Sequence, residues 1–197
     1  MGKLFYLMGK SASGKDRMFR LLITDSDLPL DRLVIYTTRP RREGEEDGRE
    51  YHFIDETKLQ ELRDKGLIIE ERTYATVAGP WTYATVADEA LLLRRRSLLG
   101  IGTPESFCRL RACLGEEAVV PLFIEVDDGT RLQRALDREK RQAVPNYEEV
   151  CRRFLADAAD FASEKLAAAG IDRRFDNNGD EESCRRELEE AIRSVLR

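Results

Sequence analysis

The sequence predicts an α/β protein with a parallel central β-sheet and helices on both of its faces. Short apolar runs alternate with helix-like segments along most of the chain, and residues 119–126 are almost continuously apolar. Alternation of this kind is typical of a doubly wound sheet, and a continuous apolar run is typical of a parallel strand buried on both faces. We therefore expect a three-layer sandwich whose middle layer is the sheet.

Each predicted strand is a short run of apolar, β-branched or aromatic residues. These runs cover residues 4–8, 33–36, 51–54, 67–70, 97–102, 119–126 and 171–175. The segments with helical patterns cover residues 15–25, 56–65, 88–96, 103–113, 129–140, 147–168 and 181–196. Asp55 and Thr103 are expected N-caps, and Gly66 is expected just beyond a helix end. A short repeat, in which residues 73–78 recur as 82–87, predicts a β-hairpin.

The composition is that of a globular chain long enough for one domain with a well-buried core. It has 197 residues, of which 42% are hydrophobic and 36% charged, and a formal net charge of −5. The negative charge argues against general nucleic-acid binding, and no apolar stretch approaches the roughly 20 residues of a membrane span. We also expect no cleaved leader. Arginines are concentrated at residues 39–49 and 131–153, which indicates local anion sites.

The four cysteines do not form a recognisable metal or disulfide pattern. Cys108, Cys113, Cys151 and Cys184 include no C-x-x-C pair, and the single histidine, His52, is far from them in sequence. We therefore expect reduced thiols and a cytoplasmic protein. His52 lies between two aromatic residues of a predicted strand, where a packed imidazole is expected.

The strand at residues 4–8 leads into the loop Gly9-Lys10-Ser11-Ala12-Ser13-Gly14-Lys15-Asp16. This loop matches the phosphate-binding pattern G-x-x-x-x-G-K-S/T everywhere except at its last position. Gly9 and Gly14 allow the backbone to turn so that its N–H groups point at phosphate oxygens. The following helix adds its positive N-terminal end, and the ammonium of Lys15 reaches the terminal phosphates. Asp16 replaces the hydroxyl that normally holds Mg²⁺, and a carboxylate is also a suitable oxygen ligand for that ion.

A second motif lies in the polar loop that follows residue 36. Residues 36–53 read YTTRPRREGEEDGREYHF, which resembles the acceptor-binding signature T-T-R-x-P-R-x-G-E-x-x-G-x-x-Y-x-F of guanylate kinases. Together with the phosphate-binding loop, the resemblance covers essentially the whole chain in element order. Guanidinium groups bind phosphate oxygens bidentately, and Arg39, Arg42 and Tyr51 supply the groups needed to hold an acceptor phosphate.

The resemblance implies roles for further residues. Glu70 aligns with the acidic residue that accepts hydrogen bonds from guanine, and Tyr83 or Tyr74 is expected near the acceptor. Lid arginines of this family stabilise the transferred phosphoryl group. Arg153 and either Arg138 or Arg141 fall where such arginines are expected. Asn177 or Asn178 resembles the asparagine near the adenine, although a plain turn is an equal alternative there.

The chain departs from the family pattern where guanine is read. Ile35 and Ala84 stand at positions where a serine is expected, and the family's D-x-D at the end of a strand is Gly100-Ile101-Gly102. Losing polar partners weakens discrimination between acceptors. Asp16, with Asp127 as a further candidate, would have to replace the lost carboxylates around Mg²⁺. Asp127 and its neighbour Asp128 also suit helix capping.

The resemblance therefore implies an ATP- and Mg²⁺-dependent kinase that converts GMP and ATP to GDP and ADP. Its catalytic residues would be Lys15, Arg138 and Arg153, and residues 9–16 with Asn177 would bind ATP. The acceptor residues would be Arg39, Arg42, Tyr51, Glu70 and Tyr83. One alternative is a related kinase acting on a sugar phosphate such as ribose 1,5-bisphosphate, because those enzymes also have Gly-Lys-Asp in the loop. Another is a non-catalytic binding module.

We expect one guanylate kinase-like domain with three functional parts. Its core would comprise residues 1–36, 88–137 and 168–197, and residues 37–87 would form an acceptor-binding lobe. Residues 138–153 would form the lid. The expected partners are small-molecule substrates, without nucleic acid or membrane, and the protein is expected to be a monomer or a homodimer.

Overall fold

The computed structural model describes residues 2–76, 79–92 and 96–197. In chain order, the strands are β1 (Leu4–Gly9), β2 (Leu30–Arg32), β3 (Tyr36–Thr37), β4 (His52–Phe53), β5 (Ile68–Thr76), β6 (Gly79–Val86), β7 (Ser97–Gly102), β8 (Val119–Glu125) and β9 (Arg174–Asp176). The α-helices are α1 (Lys15–Thr24), α2 (Glu56–Asp64), α3 (Glu89–Leu92), α4 (Pro104–Leu114), α5 (Asp128–Glu139), α6 (Tyr147–Asp160), α7 (Ser163–Ala168) and α8 (Glu181–Leu196).

The larger sheet has five strands in the order β2-β7-β1-β8-β9, and every neighbouring pair is parallel. All six residues of β1 are buried, because this strand lies in the middle of the sheet and both of its faces are covered. The prediction of a parallel central sheet is confirmed, and so is the buried strand predicted at residues 119–126, which forms β8.

Side chains of β1 alternate between two apolar cores, as expected for a strand. Phe5 and Leu7 pack with residues of α1 and α8 on one face. Leu4, Tyr6 and Met8 pack with residues of α4 and α7 on the other face. The result is the predicted three-layer arrangement of helices, sheet and helices.

A smaller sheet of four strands, in the order β4-β3-β6-β5, forms from the residues between β2 and β7. Strands β5 and β6 are antiparallel, and the two copies of the short repeat face each other, with Thr73 opposite Thr82. The predicted β-hairpin is therefore confirmed, while residues 77–78 of its turn lie outside the described residues. Tyr36 packs on His52 with ring centroids 4.6 Å apart, as expected for a packed imidazole.

Local capping signals in the sequence are realised in the structure. The Asp55 carboxylate accepts a hydrogen bond from the Lys58 N–H and begins α2, and Gly66 adopts φ +65° just beyond its end. Thr103 caps α4 by accepting from the Ser106 N–H, and Pro104 follows at the first helical position. These local interactions satisfy backbone groups that a helix terminus otherwise leaves unpaired.

The helix predicted over residues 147–168 is two helices, α6 and α7, so that prediction was wrong. Phe161 lies at the break and is only 6% exposed. Its ring stacks on Phe123 of β8 with a centroid separation of 5.7 Å. Burying this ring in the core redirects the chain, which the helical pattern of the surrounding residues does not reveal.

Other predicted boundaries also differ from the structure. The strand predicted at 33–36 is replaced by β2, which ends at Arg32, and β3, which begins at Tyr36. These two strands join different sheets, so the chain between them crosses from one sheet to the other. The last strand of the central sheet is Arg174–Asp176 rather than residues 171–175. Only Glu89–Leu92 of the helix predicted at 88–96 is helical in the described residues, and residues 93–95 lie outside them.

Across residues 2–76, 79–92 and 96–197, none of the helices combines the length and the apolar character needed to cross a membrane.

Ala12 is the one non-glycine residue with positive φ in the described part of the chain, at φ +62°. The Cβ atom of an L-residue makes this conformation unfavourable by roughly 1–2 kcal/mol. We predict that Ala12→Gly increases the free energy of unfolding by about 1 kcal/mol, measured by urea denaturation. The matched control is Ala158→Gly on the exposed side of α6, which should lower it by about 1 kcal/mol. A loss of stability in both variants would contradict the strained conformation at Ala12.

Candidate active site

The phosphate-binding loop connects the carboxyl end of β1 to the first turn of α1, and Lys15 is the first residue of that helix. A Cβ atom on Gly9 would lie 2.5 Å from Ser13 Oγ, and one on Gly14 would lie 2.6 Å from Asn177 Nδ2. Gly14 also has φ +87°. Both glycines are therefore required by the path of the loop, which leaves the N-terminus of α1 open to an anion.

Contacts from three other elements fix the loop in position. The buried side chain of Asn177, just after β9, donates from Nδ2 to the Ser13 carbonyl oxygen at 2.8 Å. Asp157 of α6 accepts from the Ser11 N–H at 2.8 Å and pairs with Arg131 of α5 at 3.3 Å. These hydrogen bonds connect the loop to the segment after β9 and to α6, and they restrain its backbone.

Asp16 follows Lys15, and its carboxylate is 3.3 Å from the Lys15 ammonium. The Asp16 side chain is 82% exposed and lines a cavity of about 430 Å³ that also includes Glu45 and Tyr51. Asp127 lines a different cavity, with Lys10. The structure therefore does not bring Asp16 and Asp127 to the same cavity. In the described ranges, no three His, Cys, Asp or Glu side chains form a cluster that could hold a metal ion.

Neither of the two acids after β8 caps α5 through a side-chain hydrogen bond, contrary to the expected capping role. Asp127 is the N-cap residue of α5, but its side chain makes no capping hydrogen bond. The Asp128 carboxylate instead pairs with Arg131 at 2.7 Å and with Lys10 at 3.3 Å. The Arg131 guanidinium lowers the pKa of Asp128, and Lys10 adds to this effect.

Arg39 is 4% exposed and lies in the smaller sheet's polar loop. Its guanidinium pairs with Glu45 at 2.7 Å and lies 5.3 Å from the Tyr51 ring centre and 5.6 Å from that of Phe53. The hydrogen bond raises the pKa of Arg39 and lowers that of Glu45. The side chain is therefore a fixed cation beside Tyr51. Arg42 is exposed, and its backbone N–H donates to the other Glu45 oxygen at 2.8 Å.

Tyr51 and Tyr83 stand next to each other, with ring centroids 5.6 Å apart, and Tyr74 packs on Tyr83 at 5.9 Å. Burial, and then the neighbouring Tyr83, raise the pKa of the Tyr51 hydroxyl, so it remains a hydrogen-bond donor near neutral pH. These three rings form one wall of a cavity of about 410 Å³, which we call the acceptor cavity. Its other polar lining residues include Tyr6, Glu70, Arg72, Thr85, Ser106 and Arg153.

Glu70 is held in the acceptor cavity by two hydroxyl groups. Thr85 donates to Glu70 Oε1 at 2.9 Å, and Ser106 donates to Oε2 at 3.0 Å. Residue 84, where the sequence lacks the expected serine, is a fully packed alanine in β6. The neighbouring Thr85 faces Glu70 across the hairpin and supplies a hydroxyl in the cavity. The loss of polar groups anticipated at residue 84 is therefore partly compensated.

A larger cleft of about 1360 Å³ joins the phosphate-binding loop to α6 and to β5. It is lined by Lys15 on one side and by Arg152 and Arg153 on the other. Glu149 Oε1 accepts from both arginines, and these hydrogen bonds, Arg152 first, lower the pKa of Glu149 to about 2. Arg153 also lines the acceptor cavity and so faces both spaces.

Arg138 is exposed on the last turn of α5, and Arg141 follows the end of that helix. Among the described residues, the lining of the cleft includes Arg153 but not Arg138 or Arg141. The structure thus brings together Lys15, Arg153, Tyr51, Tyr83 and Glu70, and it leaves Arg138 apart from them.

Sequence reasoning missed Arg72, which lines both the acceptor cavity and the cleft. Its guanidinium donates to Thr103 Oγ1 at 2.6 Å and lies 3.9 Å from Glu70. The signal was present, because residues 70, 72 and 74 alternate along a strand and must share a face. Tyr6 and Ser106 were also missed, because an apolar strand and a helix start explain them equally well.

A glycine-rich loop at the end of a central parallel strand, opposite arginines and a second polar cavity, is typical of kinases that transfer phosphoryl groups between nucleotides. The guanylate kinase family model matches residues 1–194. The chain is 35% identical over 160 residues to the guanylate kinase of Oleidesulfovibrio alaskensis, covering 80% of this chain and 72% of that protein. It is 30% identical over 206 residues to that of Mycobacterium bovis, covering 100% and 86%. The chain belongs to the guanylate kinase family.

The fold agrees with this membership. The crystal structure of guanylate kinase from Anaplasma phagocytophilum superimposes with a TM-score of 0.61 at 18% sequence identity. The match covers 100% of this chain and 87% of that chain.

The ion pair between Arg39 and Glu45 makes stability depend on pH. Because the pKa of Glu45 is below its ordinary value of 4.5 in the folded protein, its contribution is present above pH 4.5 and is lost as the pH falls below it. We predict that Glu45→Gln flattens the decrease in melting temperature between about pH 6 and pH 3. Glu190→Gln, at an exposed position of α8, is the control, and its melting temperature should decrease with pH like that of the wild type. Parallel curves for all three proteins would refute the prediction.

Proposed function

We propose that the protein transfers the γ-phosphoryl group of ATP to GMP, giving ADP and GDP. The observation that carries this proposal is the continuity of the site: Arg153 and Arg72 line both the cleft that contains Lys15 and the acceptor cavity that contains Glu70. A donor phosphate held at Lys15 and an acceptor phosphate held near Tyr51 would then meet in one space. Phosphoryl transfer depends mainly on such positioning and on charge stabilisation.

The donor side would be formed by residues 9–16. Their backbone N–H groups and the N-terminus of α1 would hold the phosphates, and Lys15 would neutralise charge as the phosphoryl group moves. The Asn177 side chain is committed to the Ser13 carbonyl oxygen, so its contribution to ATP binding would be to hold the loop. The path of the loop supports this role, because any side chain at Gly9 or Gly14 would clash with Ser13 Oγ or Asn177 Nδ2.

The donor set also fits Mg²⁺. Asp16 offers an exposed carboxylate oxygen one residue after Lys15. Mg²⁺ prefers oxygen ligands and retains several waters, so one protein carboxylate together with substrate phosphates suffices. Mg²⁺ bound there would neutralise charge on the donor phosphates. Within the chain, Asp16 is the residue we assign to holding it, directly or through water.

On the acceptor side, Arg39, Arg42 and Tyr51 would hold the phosphate of GMP, and Glu70 would accept hydrogen bonds from the guanine N–H groups. The fixed orientation of Arg39 supports this role, because the side chain is ordered before the ligand arrives. Tyr83 would pack beside the acceptor. In this proposal, residues 37–87 form the acceptor-binding lobe and residues 138–153 form the lid.

The lid would supply Arg153 from α6 and Arg138 from the end of α5. Arg153 already faces the cleft, whereas Arg138 would reach it only after closure of the lid. We place the reaction in the cytoplasm, where the four free cysteines would remain reduced. Small-molecule substrates are the only partners the proposal requires.

The proposal is tested by measuring ADP production from Mg-ATP with GMP, dGMP, AMP and ribose 1,5-bisphosphate in parallel. Turnover with GMP that exceeds turnover with AMP and with the sugar bisphosphate is the expected result. Turnover with the sugar bisphosphate alone would assign the protein to the kinases of sugar phosphates. Silence with all four acceptors would overturn the proposal.

Lys15→Met should abolish turnover, because the group that neutralises the moving phosphoryl charge is lost. We expect a decrease in kcat of at least about 100-fold with an unchanged melting temperature. Lys65→Met, at the exposed end of α2, removes the same charge away from the site and should leave kcat unaltered. Full activity of the Lys15 variant would exclude the proposed role of the loop.

A further inference from the structure

A single carboxylate oxygen connects α6 to the loop of residues 9–16. Asp157 Oδ2 accepts a hydrogen bond from the Ser11 N–H at 2.8 Å and another from Arg131 Nη1 of α5 at 3.3 Å. The Asp157 side chain is 14% exposed, so both bonds lie largely out of contact with water. Hydrogen bonds to a charged acceptor are strong in such surroundings. Three segments that are distant in sequence are therefore held together at one atom.

The guanidinium of Arg131 is enclosed on all sides and holds Asp157 in place. It is 1% exposed, its Nε pairs with Asp128 at 2.7 Å, and its Cζ lies 3.9 Å from the centre of the Phe154 ring. Its Nη2 is buried without a hydrogen-bond partner among the described residues. Because a buried charge is costly unless it is paired, the ion pairs with Asp128 and Asp157 must compensate for most of this burial. Moving Asp157 away would leave the charge of Arg131 poorly paired.

Arg131 is also linked to the loop through Asp128, whose carboxylate is 3.3 Å from the Lys10 ammonium. Lys10 directly precedes Ser11, so α5 is connected to two successive residues of the loop. The Asp128 side chain is 56% exposed, and an exposed ion pair contributes little. The connection through Asp157 is therefore the stronger of the two.

Asp157 shares a face of α6 with Glu149 and Arg153, because the three residues are spaced four apart along the helix. All three line the cleft that contains Lys15. Glu149 Oε1 accepts from Arg153 Nε at 2.6 Å, one turn before Arg153, and Asp157 is bound to the loop one turn after it. Arg153 is thus restrained from both directions along α6. Its position relative to Lys15 depends on the contact between Asp157 and Ser11.

We propose that Asp157 is a positioning residue for phosphoryl transfer. Held by Arg131, it binds the Ser11 N–H, fixes α6 to the loop, and keeps Arg153 at the cleft before substrates arrive. The inference rests on the proposed transfer from ATP and adds a residue that sequence reasoning missed. It also places Arg153 at the fixed end of the lid of residues 138–153, so that closure would move the part of the lid before it.

The first test is the kinetics of Asp157→Ala with Mg-ATP and GMP. We expect kcat to fall about 10- to 100-fold, because Arg153 is displaced, with the KM for GMP within a factor of two. Glu182→Ala, which removes an exposed carboxylate 3.7 Å from Arg185 on α8, is the control and should have the wild-type kcat. If the wild type turns over GMP and Asp157→Ala has the same kcat, the inference is wrong while the proposed function stands.

A second substitution separates positioning from stability. Asp157→Ala leaves the Arg131 charge poorly paired and should lower the melting temperature. Adding Arg131→Met removes that charge and should restore much of the melting temperature, but kcat should remain low because α6 is still not bound to Ser11. A double variant that regains kcat together with its melting temperature would show that Asp157 only neutralises Arg131, and would overturn the inference.

The third substitution tests whether Asp157 acts through Arg153. Arg153→Ala in the otherwise wild-type protein should lower kcat at least about 100-fold. In the Asp157→Ala background, the same substitution should lower kcat by a factor at least about 10-fold smaller, because Arg153 is already displaced there. Independent effects that multiply in the double variant would contradict the proposed path through Arg153.

A last measurement does not depend on activity or on the acceptor. Hydrogen exchange of the Ser11 amide, followed by NMR in the ligand-free protein, should be at least about 10-fold faster in Asp157→Ala, as for the loss of a hydrogen bond to a charged acceptor. Exchange in Glu182→Ala should match the wild type. Unchanged exchange in Asp157→Ala would overturn the inference even if GMP is not the acceptor.

Discussion

The structure depends on the position of β1 in the middle of the parallel sheet. Hydrogen bonds to β7 and β8 on both sides fix the strand, and helices cover both of its faces. The position of its carboxyl end is therefore fixed by the sheet. The glycine-rich loop begins there and leads into α1. The rest of the loop is then held by Asn177, which is next to β9, and by Asp157 of α6. The loop that we propose to bind phosphate thus begins at a strand that is buried on both faces.

The polar loop of the smaller sheet contains a buried charged side chain, that of Arg39. Arg39 is buried only together with its partner Glu45 and with the rings of Tyr51 and Phe53. A buried guanidinium requires such a partner, since an unpaired charge is costly to remove from water. The same contacts that permit burial also orient the side chain. The stability of the buried guanidinium and its orientation therefore come from one set of interactions.

Gly100 and Gly102 of β7 stand where the family pattern has two aspartates. The glycines at 100 and 102 leave room for Tyr6 of the adjacent strand, which lines the acceptor cavity. Thr85 similarly provides a hydroxyl next to the position of Ala84. Polar groups in a cavity can thus be supplied from different elements, provided that their protons and lone pairs are matched. A residue-by-residue comparison with the family pattern does not reveal a polar group that a different strand supplies.

The class of fold, the glycine-rich loop, the hairpin and the helix caps were predictable from the order of residues alone. Each of these depends on residues close together in the chain, such as Gly14 with Lys15, or Asp55 with the N–H of Lys58. Three features could be recognised only in the three-dimensional structure: the break at Phe161, the separation of Asp16 from Asp127, and the packing of Tyr6 against Gly100 and Gly102. These features depend on side chains from distant segments that compete for the same space, and a local pattern contains no information about that competition.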